Sequence, residues 1–197
     1  MTAFTTRCLR NVSLVLGLWF AIALTAFADN ITAGRAEAEI VDGQLSLNTR
    51  FQTRLPPTLA DALSQGVPLT FRLDFELTRP RTEAYKLDVS NWFEPHASLT
   101  FKLSYQSLTN RYRVTIGTLP RFYSSLAEAL SAIGSIRGWR VLEPGTLSGV
   151  EAGDVKARAR LELDITELPK PFQFNAFGSS DWALSSGWVG IGVKEAS

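Results

Sequence analysis

Residues 70–78 read Thr-Phe-Arg-Leu-Asp-Phe-Glu-Leu-Thr, an unbroken alternation of apolar and polar side chains. Phe71, Leu73, Phe75 and Leu77 point one way, and Thr70, Arg72, Asp74, Glu76 and Thr78 the other, because successive side chains of an extended chain leave on opposite faces. This pattern marks a β-strand with one buried and one wetted face. The same period returns three times. Residues 98–107 set Leu99, Phe101, Leu103 and Tyr105 against Ser98, Thr100, Lys102, Ser104 and Gln106. Residues 111–117 set Tyr112, Val114 and Ile116 against Arg111, Arg113 and Thr115. Residues 155–166 set Val155, Ala157, Ala159, Leu161, Leu163 and Ile165 against Lys156, Arg158, Arg160, Glu162, Asp164 and Thr166.

Turn chemistry joins some of these runs. Thr109-Asn110 sits where a tight turn is expected, so 98–117 reads as a hairpin. Asp42-Gly43 separates runs at 36–41 and 44–52 and is the strongest short hairpin signal in the chain. Two segments carry helical signals instead. Residues 57–65 have a proline near the start, Leu59 and Leu63 four apart, and Gly66 as a stop. Residues 124–133 open on serine, carry Glu128 early, place Leu126, Leu130 and Ile133 on one face, and meet Gly134. Trp139 to Leu142 is a short strand candidate, and Pro144-Gly145 with Gly149 to Gly153 marks a loop. After Pro169 and Pro171 comes a Ser/Gly-rich tail with Trp182 and Trp188, where no regular element is expected. No repeat or heptad is visible.

Alternation in most strands excludes a parallel sheet covered on both faces. The expected fold class is α+β and β-rich: an antiparallel β-sandwich-like domain, or else a curled sheet or open barrel, with two short helices. The length of 197 residues fits one domain with a real core. A formal net charge of +1 argues against a dedicated nucleic-acid binder. One Cys and one His exclude zinc sites built from several of them, and a disulfide within the chain. No metal and no cofactor is expected.

Arg7 and Arg10, the apolar run 12–24 and Ala26-Phe27-Ala28 compose a secretory signal peptide over 1–28. The alternative is an uncleaved membrane anchor over 11–28, just within spanning length. Either way, 29–197 is expected to be a single β-rich periplasmic domain with a Trp-containing C-terminal tail. After cleavage it would contain no cysteine, so its core alone would hold it.

Several constellations invite a chemical reading. His96, after Pro95, is a lone imidazole with no partner set, and no Gly-x-Ser-x-Gly elbow offers a nucleophile. Asp74 with Glu76, and Glu162 with Asp164, share strand faces as a glycosidase pair would. Each pair sits beside arginines, Arg72 for one and Arg158 and Arg160 for the other, so cross-strand ion pairing is the expected role. Arginine outnumbers lysine 15 to 5. Arg79, Arg81, Arg111, Arg113, Arg158 and Arg160 offer a patch for phospholipid head groups or acidic polymers, against which stands a solvated surface of paired charges. Most strand aromatics belong to the core. Trp182 and Trp188 are balanced between core and exposed patch.

Other stretches carry a family resemblance. They are Leu77-Thr78-Arg79-Pro80-Arg81, Leu103-Ser104-Tyr105, Leu108 to Val114, Ser125 to Leu130, Gly138-Trp139-Arg140-Val141, Leu168 to Ala176 and Asp181 to Trp188. In this order they resemble the proteobacterial domain-of-unknown-function family DUF4390 over roughly 36–188. The resemblance implies an exported bacterial protein with no assigned activity. It further implies genes encoded beside a membrane-bound sensor histidine kinase and a ribosomal RNA methyltransferase. Here Thr82-Glu83-Ala84-Tyr85 stands where such proteins often carry another aromatic near Arg79 to Arg81.

The functional expectation is a non-catalytic periplasmic protein-interaction module. Its partner would be another envelope protein, with the extracytoplasmic part of a sensor kinase as the specific candidate. The candidate surface is Arg79, Arg81, Trp182 and Trp188. No nucleic acid is expected, and no membrane contact except through an uncleaved N-terminal segment. The alternatives are a carrier of an apolar ligand held between sheets, and a carboxylate hydrolase.

Overall fold

The computed structural model describes residues 30–41, 44–78, 96–142, 147, 151–176 and 179–195. Residues 1–28, expected from the sequence to be a signal peptide, the expected turns at Asp42-Gly43 and Pro144-Gly145, Arg79 and Arg81 lie outside the described residues. Among the described residues nine strands are present: β1 (Ile31–Val41), β2 (Gln44–Thr53), β3 (Leu69–Thr78), β4 (His96–Gln106), β5 (Arg111–Ile116), β6 (Leu119–Tyr123), β7 (Ser135–Arg140), β8 (Lys156–Leu163) and β9 (Val189–Glu195). The helices are α1 (Pro57–Ser64), α2 (Leu126–Gly134) and α3 (Lys170–Ala176).

All nine strands join one curled sheet in the order β6-β5-β4-β3-β8-β9-β1-β2-β7. The β-rich α+β class stands, in its curled-sheet form. Pairing is antiparallel except between β1 and β9, which run parallel. The curl has a topological cause. The two edge strands, β6 and β7, are neighbours in sequence, joined by α2. A flat sheet of nine strands would separate its edges by about 38 Å. Two linking residues, one helix of nine residues and the step into β7 reach at most about 27 Å. The sheet must bend for its edges to meet the helix, and α2 packs against β2, β5, β6 and β7.

Local chemistry starts that helix cleanly. The Ser125 hydroxyl accepts from the Glu128 backbone N–H at 3.2 Å. The Glu128 carboxylate in turn accepts from the Ser124 hydroxyl at 2.8 Å and backbone N–H at 3.2 Å. This reciprocal cap satisfies donors that the first turn leaves open. These hydrogen bonds from Ser124 hold the Glu128 carboxyl below its ordinary range. Gly134, at the other end, is the last helical residue and buried, and its role is close approach. A Cβ there would lie 2.0 Å from the Phe51 carbonyl oxygen on β2.

The inner face of the curl holds the core. Leu45, Leu47 and Phe51 of β2, Leu69, Phe71, Leu73 and Phe75 of β3, Phe101 and Leu103 of β4, and Ile133 of α2 are all buried. Large and small residues interleave across strands. Phe75 stands between Ala97 of β4 and Ala159 of β8, and Leu77 faces Ala157. Such alternation lets facing side chains interdigitate at the density of a protein interior.

Three elements escape the period-two reading. β6 contains Pro120, which a central strand would reject; β6 is an edge strand, where the missing N–H costs no ladder bond. Helix α3 starts at two prolines that read as breakers. Pro169 offers its carbonyl to the Phe172 and Gln173 N–H groups, and Pro171 sits in the first turn, where its lack of a donor is harmless. β9 reads Val-Gly-Ile-Gly-Val-Lys-Glu, too glycine-rich to signal a strand. Its order comes from β8 and β1 on either side.

Candidate interaction surface

The polar face of β3 and β8 is a charge ladder set by register. Arg72 lies across from Glu162, Asp74 from Arg160, and Glu76 from Arg158. Opposite charges therefore meet at three successive positions, the favourable arrangement for cross-strand pairs. Arg72 is the hub. Its guanidinium reaches Glu162 at 2.6 Å, Asp164 at 2.9 Å and Asp74 at 3.1 Å. Arg160 reaches Asp74 at 2.9 Å, and its Nε lies 3.2 Å from Glu162, close enough for charge pairing but not aligned as a hydrogen bond. Arg158 donates to Glu76 at 2.7 Å. Asp164 has a second role, accepting from the Thr166 N–H at 3.0 Å at the start of a 3-10 turn.

All four carboxylates singled out from sequence are thus engaged by arginines, as expected of cross-strand pairs. Partial burial works against the Arg72 charge, but Glu162, Asp74 and Asp164 outweigh it and raise its pKa. Isolated exposed pairs contribute little to stability. Here the carboxylates are largely shielded and share cations, so loss of one arginine would leave several negative charges in contact. His96 opens β4 opposite Glu76, at the rim of the ladder and exposed.

The C-terminal tail runs along the free edge of β8. The Leu163 N–H donates to the Leu184 carbonyl at 2.8 Å, and the Ser186 N–H to Leu161 at 2.9 Å. Glu162 pairs with Ser185, whereas Ala159 pairs with Val189, so the tail gains one residue between them. This is a bulge, with Gly187 at φ 63° supplying the left-handed residue it needs. The Ser186 hydroxyl accepts the Leu161 N–H at 3.1 Å within it. Beyond the bulge, Trp188 falls opposite Arg160 on the ladder face. The Arg158 guanidinium carbon lies 4.6 Å from the Trp188 ring centre and that of Arg160 4.7 Å, a double cation–π contact.

The two tail tryptophans therefore part company. Trp182 is 5% exposed, stacks at 6.0 Å on Phe172 of α3, and belongs to the core. Trp188 is half-buried on the ladder. Arg158 and Arg160, read from sequence as paired surface charge or as part of an arginine patch, are what hold it. The sequence signal was available in principle: polar positions of β8 and an aromatic after a Ser-Ser-Gly bulge. Their meeting needs the β8–β9 register, which periodicity does not supply. Arg111 and Arg113 of the proposed arginine patch lie on β5, away from β8.

Among the described residues, no cluster of His, Cys, Asp or Glu is arranged to hold a metal ion. No helix among them is long and apolar enough to cross a membrane. No curated protein and no solved structure matches the chain. A family profile described as Domain of unknown function (DUF4390) matches residues 28–191. The match spans most of the chain, ladder and Trp188 included, and the chain accordingly belongs to the DUF4390 family.

Proposed function

We propose that this chain is an exported, periplasmic, non-catalytic interaction module that docks on another envelope protein through the ladder face around Trp188. The observation that carries the reading is the Trp188 ring held on the outside of the sheet by Arg158 and Arg160. Tryptophan and arginine are the residues that dominate binding energy at interfaces, and an aromatic already fixed in orientation loses little entropy on docking. Burial of Phe71, Phe75, Phe101, Leu45 and Leu47 together in the core favours the outer face over an apolar-ligand site. Engagement of Asp74, Glu76, Glu162 and Asp164 with arginines favours a structural role for those carboxylates over hydrolysis. The partner proposed is the extracytoplasmic region of a membrane sensor histidine kinase, which rests on what the family resemblance implies about neighbouring genes.

The test is calorimetry between the purified chain and that kinase region, with Trp188→Ala as the variant. Binding should weaken by about thirtyfold, as for a hot-spot residue, while the thermal midpoint moves little. Absence of binding up to about 0.1 mM would remove the kinase as partner. A photo-reactive amino acid at Gly190, beside Trp188, that forms no discrete adduct in living envelopes would remove the interaction reading itself.

A further inference from the structure

The other wing of the sheet has the opposite electrostatic design. Residues 95–127 contain no Asp or Glu but carry Lys102, Arg111, Arg113 and Arg121. The structure gathers Lys102, Arg111 and Arg113 on one face of the adjacent strands β4 and β5, whereas Arg121 of the edge strand β6 pairs with Val114, as Leu119 does with Ile116, on the other face. On the polar face, Arg113 stands between Ser104 and Phe122, Thr115 between Lys102 and Pro120, and Arg111 beside Gln106. The ion pairs among the described residues leave out all four cations, in contrast to Arg72, Arg158 and Arg160. Arg113 is steadied only by the Ser104 hydroxyl, to which it donates at 3.3 Å.

Apolar side chains project from the same wing. Leu108, in the β4–β5 turn, is fully exposed. Leu119, just after the β5–β6 turn, is 71% exposed, and Phe122 is 48% exposed beside Arg113. They stand out from turns and an edge strand and do not line a groove.

We propose that the polar face of the β4–β5–β6 wing docks on an anionic phospholipid surface, with Lys102, Arg111 and Arg113 on headgroup phosphates and Leu108 and Phe122 entering the headgroup–acyl boundary. Cations that form no ion pair among the described residues, spread over β4 and β5, fit a diffuse plane of negative charge. Protruding apolar residues fit an interface that yields to them, whereas a protein hot spot sits in a packed, desolvated centre. This surface is separate from the ladder face and goes beyond the interaction reading.

The experiment is flotation of the full chain with vesicles of phosphatidylcholine, and of equimolar phosphatidylglycerol and phosphatidylcholine. Residues 11–28 contribute alike to every variant. Affinity for the anionic vesicles should exceed that for neutral ones and fall with added salt. Arg111→Glu with Arg113→Glu should lower it by at least about thirtyfold, at about a kcal/mol for each surface cation lost. Arg54→Glu with Arg137→Glu, an equal change in net charge on the other wing, should leave it near the parent value. Lys102→Gln with Arg111→Gln, at two exposed positions, serves if the first pair unfolds in a thermal melt. Equal binding to both vesicles, indifference to the wing substitutions, or equal loss in the control pair overturns the proposal. Weakened binding to poly-glutamate with vesicle binding unchanged also overturns it, and assigns the wing to an acidic protein.

Discussion

Replacing Gly134 by alanine tests the closure of the fold at its tightest contact. In an ordinary helix the change would stabilise by about 1 kcal/mol, because glycine loses more backbone freedom. Here the added Cβ would lie 2.0 Å from the Phe51 carbonyl oxygen and 3.0 Å from its carbonyl carbon. An ordinary contact needs over 1 Å more. The obstacle is backbone, in a strand paired with β1 on one side and β7 on the other, so it cannot swing aside as a side-chain tip can. The helix end would have to lift, loosening Ile133 and Leu130 from the core. Overpacking of this kind costs about 3 kcal/mol or somewhat more. Set against the helix-propensity gain, a net loss of about 2–3 kcal/mol remains. For a domain of this size that lowers the thermal midpoint by roughly 5–10 °C. Urea denaturation of parent and variant at equal concentration reads the difference directly, with an unchanged slope showing that only stability moved. An unchanged or raised midpoint would mean that α2 does not end against β2, and the account of how the sheet edges are joined would fail.

Arg72→Met removes the cation shared by Asp74, Glu162 and Asp164 while keeping the side-chain bulk. It should cost about 1–2 kcal/mol at neutral pH, read by chemical denaturation of parent and variant; an unchanged midpoint would contradict the shared-cation account. Glu128→Ala should destabilise in a pH-dependent way. The native carboxyl is held below its unfolded value, so its contribution is complete above the unfolded value near 4.5 and fades as pH falls through the native one. Parent and variant midpoints should differ at pH 7 and converge as the pH falls below the native value; a constant gap would contradict the cap. The two tail tryptophans should behave unequally. Trp182→Ala should cost about 3 kcal/mol or more as a buried aromatic, whereas Trp188→Ala should cost about 1 kcal/mol and leave the near-ultraviolet spectrum of the core intact.

Two wings with different charge logic follow from one sheet. On β3 and β8 opposite charges meet across the ladder at three successive positions, and that face presents a fixed aromatic. β4, β5 and β6 contain cations and no carboxylate, and their polar face presents the half-exposed Phe122 beside Arg113. The total of +1 conceals this division. Composition therefore bears on solubility and steering, while the placement of charge along the chain bears on which surface meets what.

Strand identity was legible wherever one face is buried and the next wetted, as in residues 70–78, because that requirement writes a period of two into the chain itself. Helices α1 and α2 were legible for a similar reason: the proline of α1 and the Ser-Glu cap of α2 act within a few residues. Even the pairing of Asp74, Glu76, Glu162 and Asp164 with arginines could be expected from charges sharing a face. The remainder belongs to contacts between distant segments. A strand such as β9, with two glycines in seven residues, exists because β8 and β1 supply its hydrogen bonds. Pro169 and Pro171 stop a helix or start one according to which residues follow and what those pack against, here Phe172 on Trp182. Trp182 and Trp188, six residues apart in one tail, go to opposite sides of the sheet because of a bulge at Gly187 and the register of β8. The curl itself arises only when β6 and β7, consecutive in the chain, become the two edges of a nine-stranded sheet. Local alternation determines which residues face inward; the free energy of long-range pairing determines what they face.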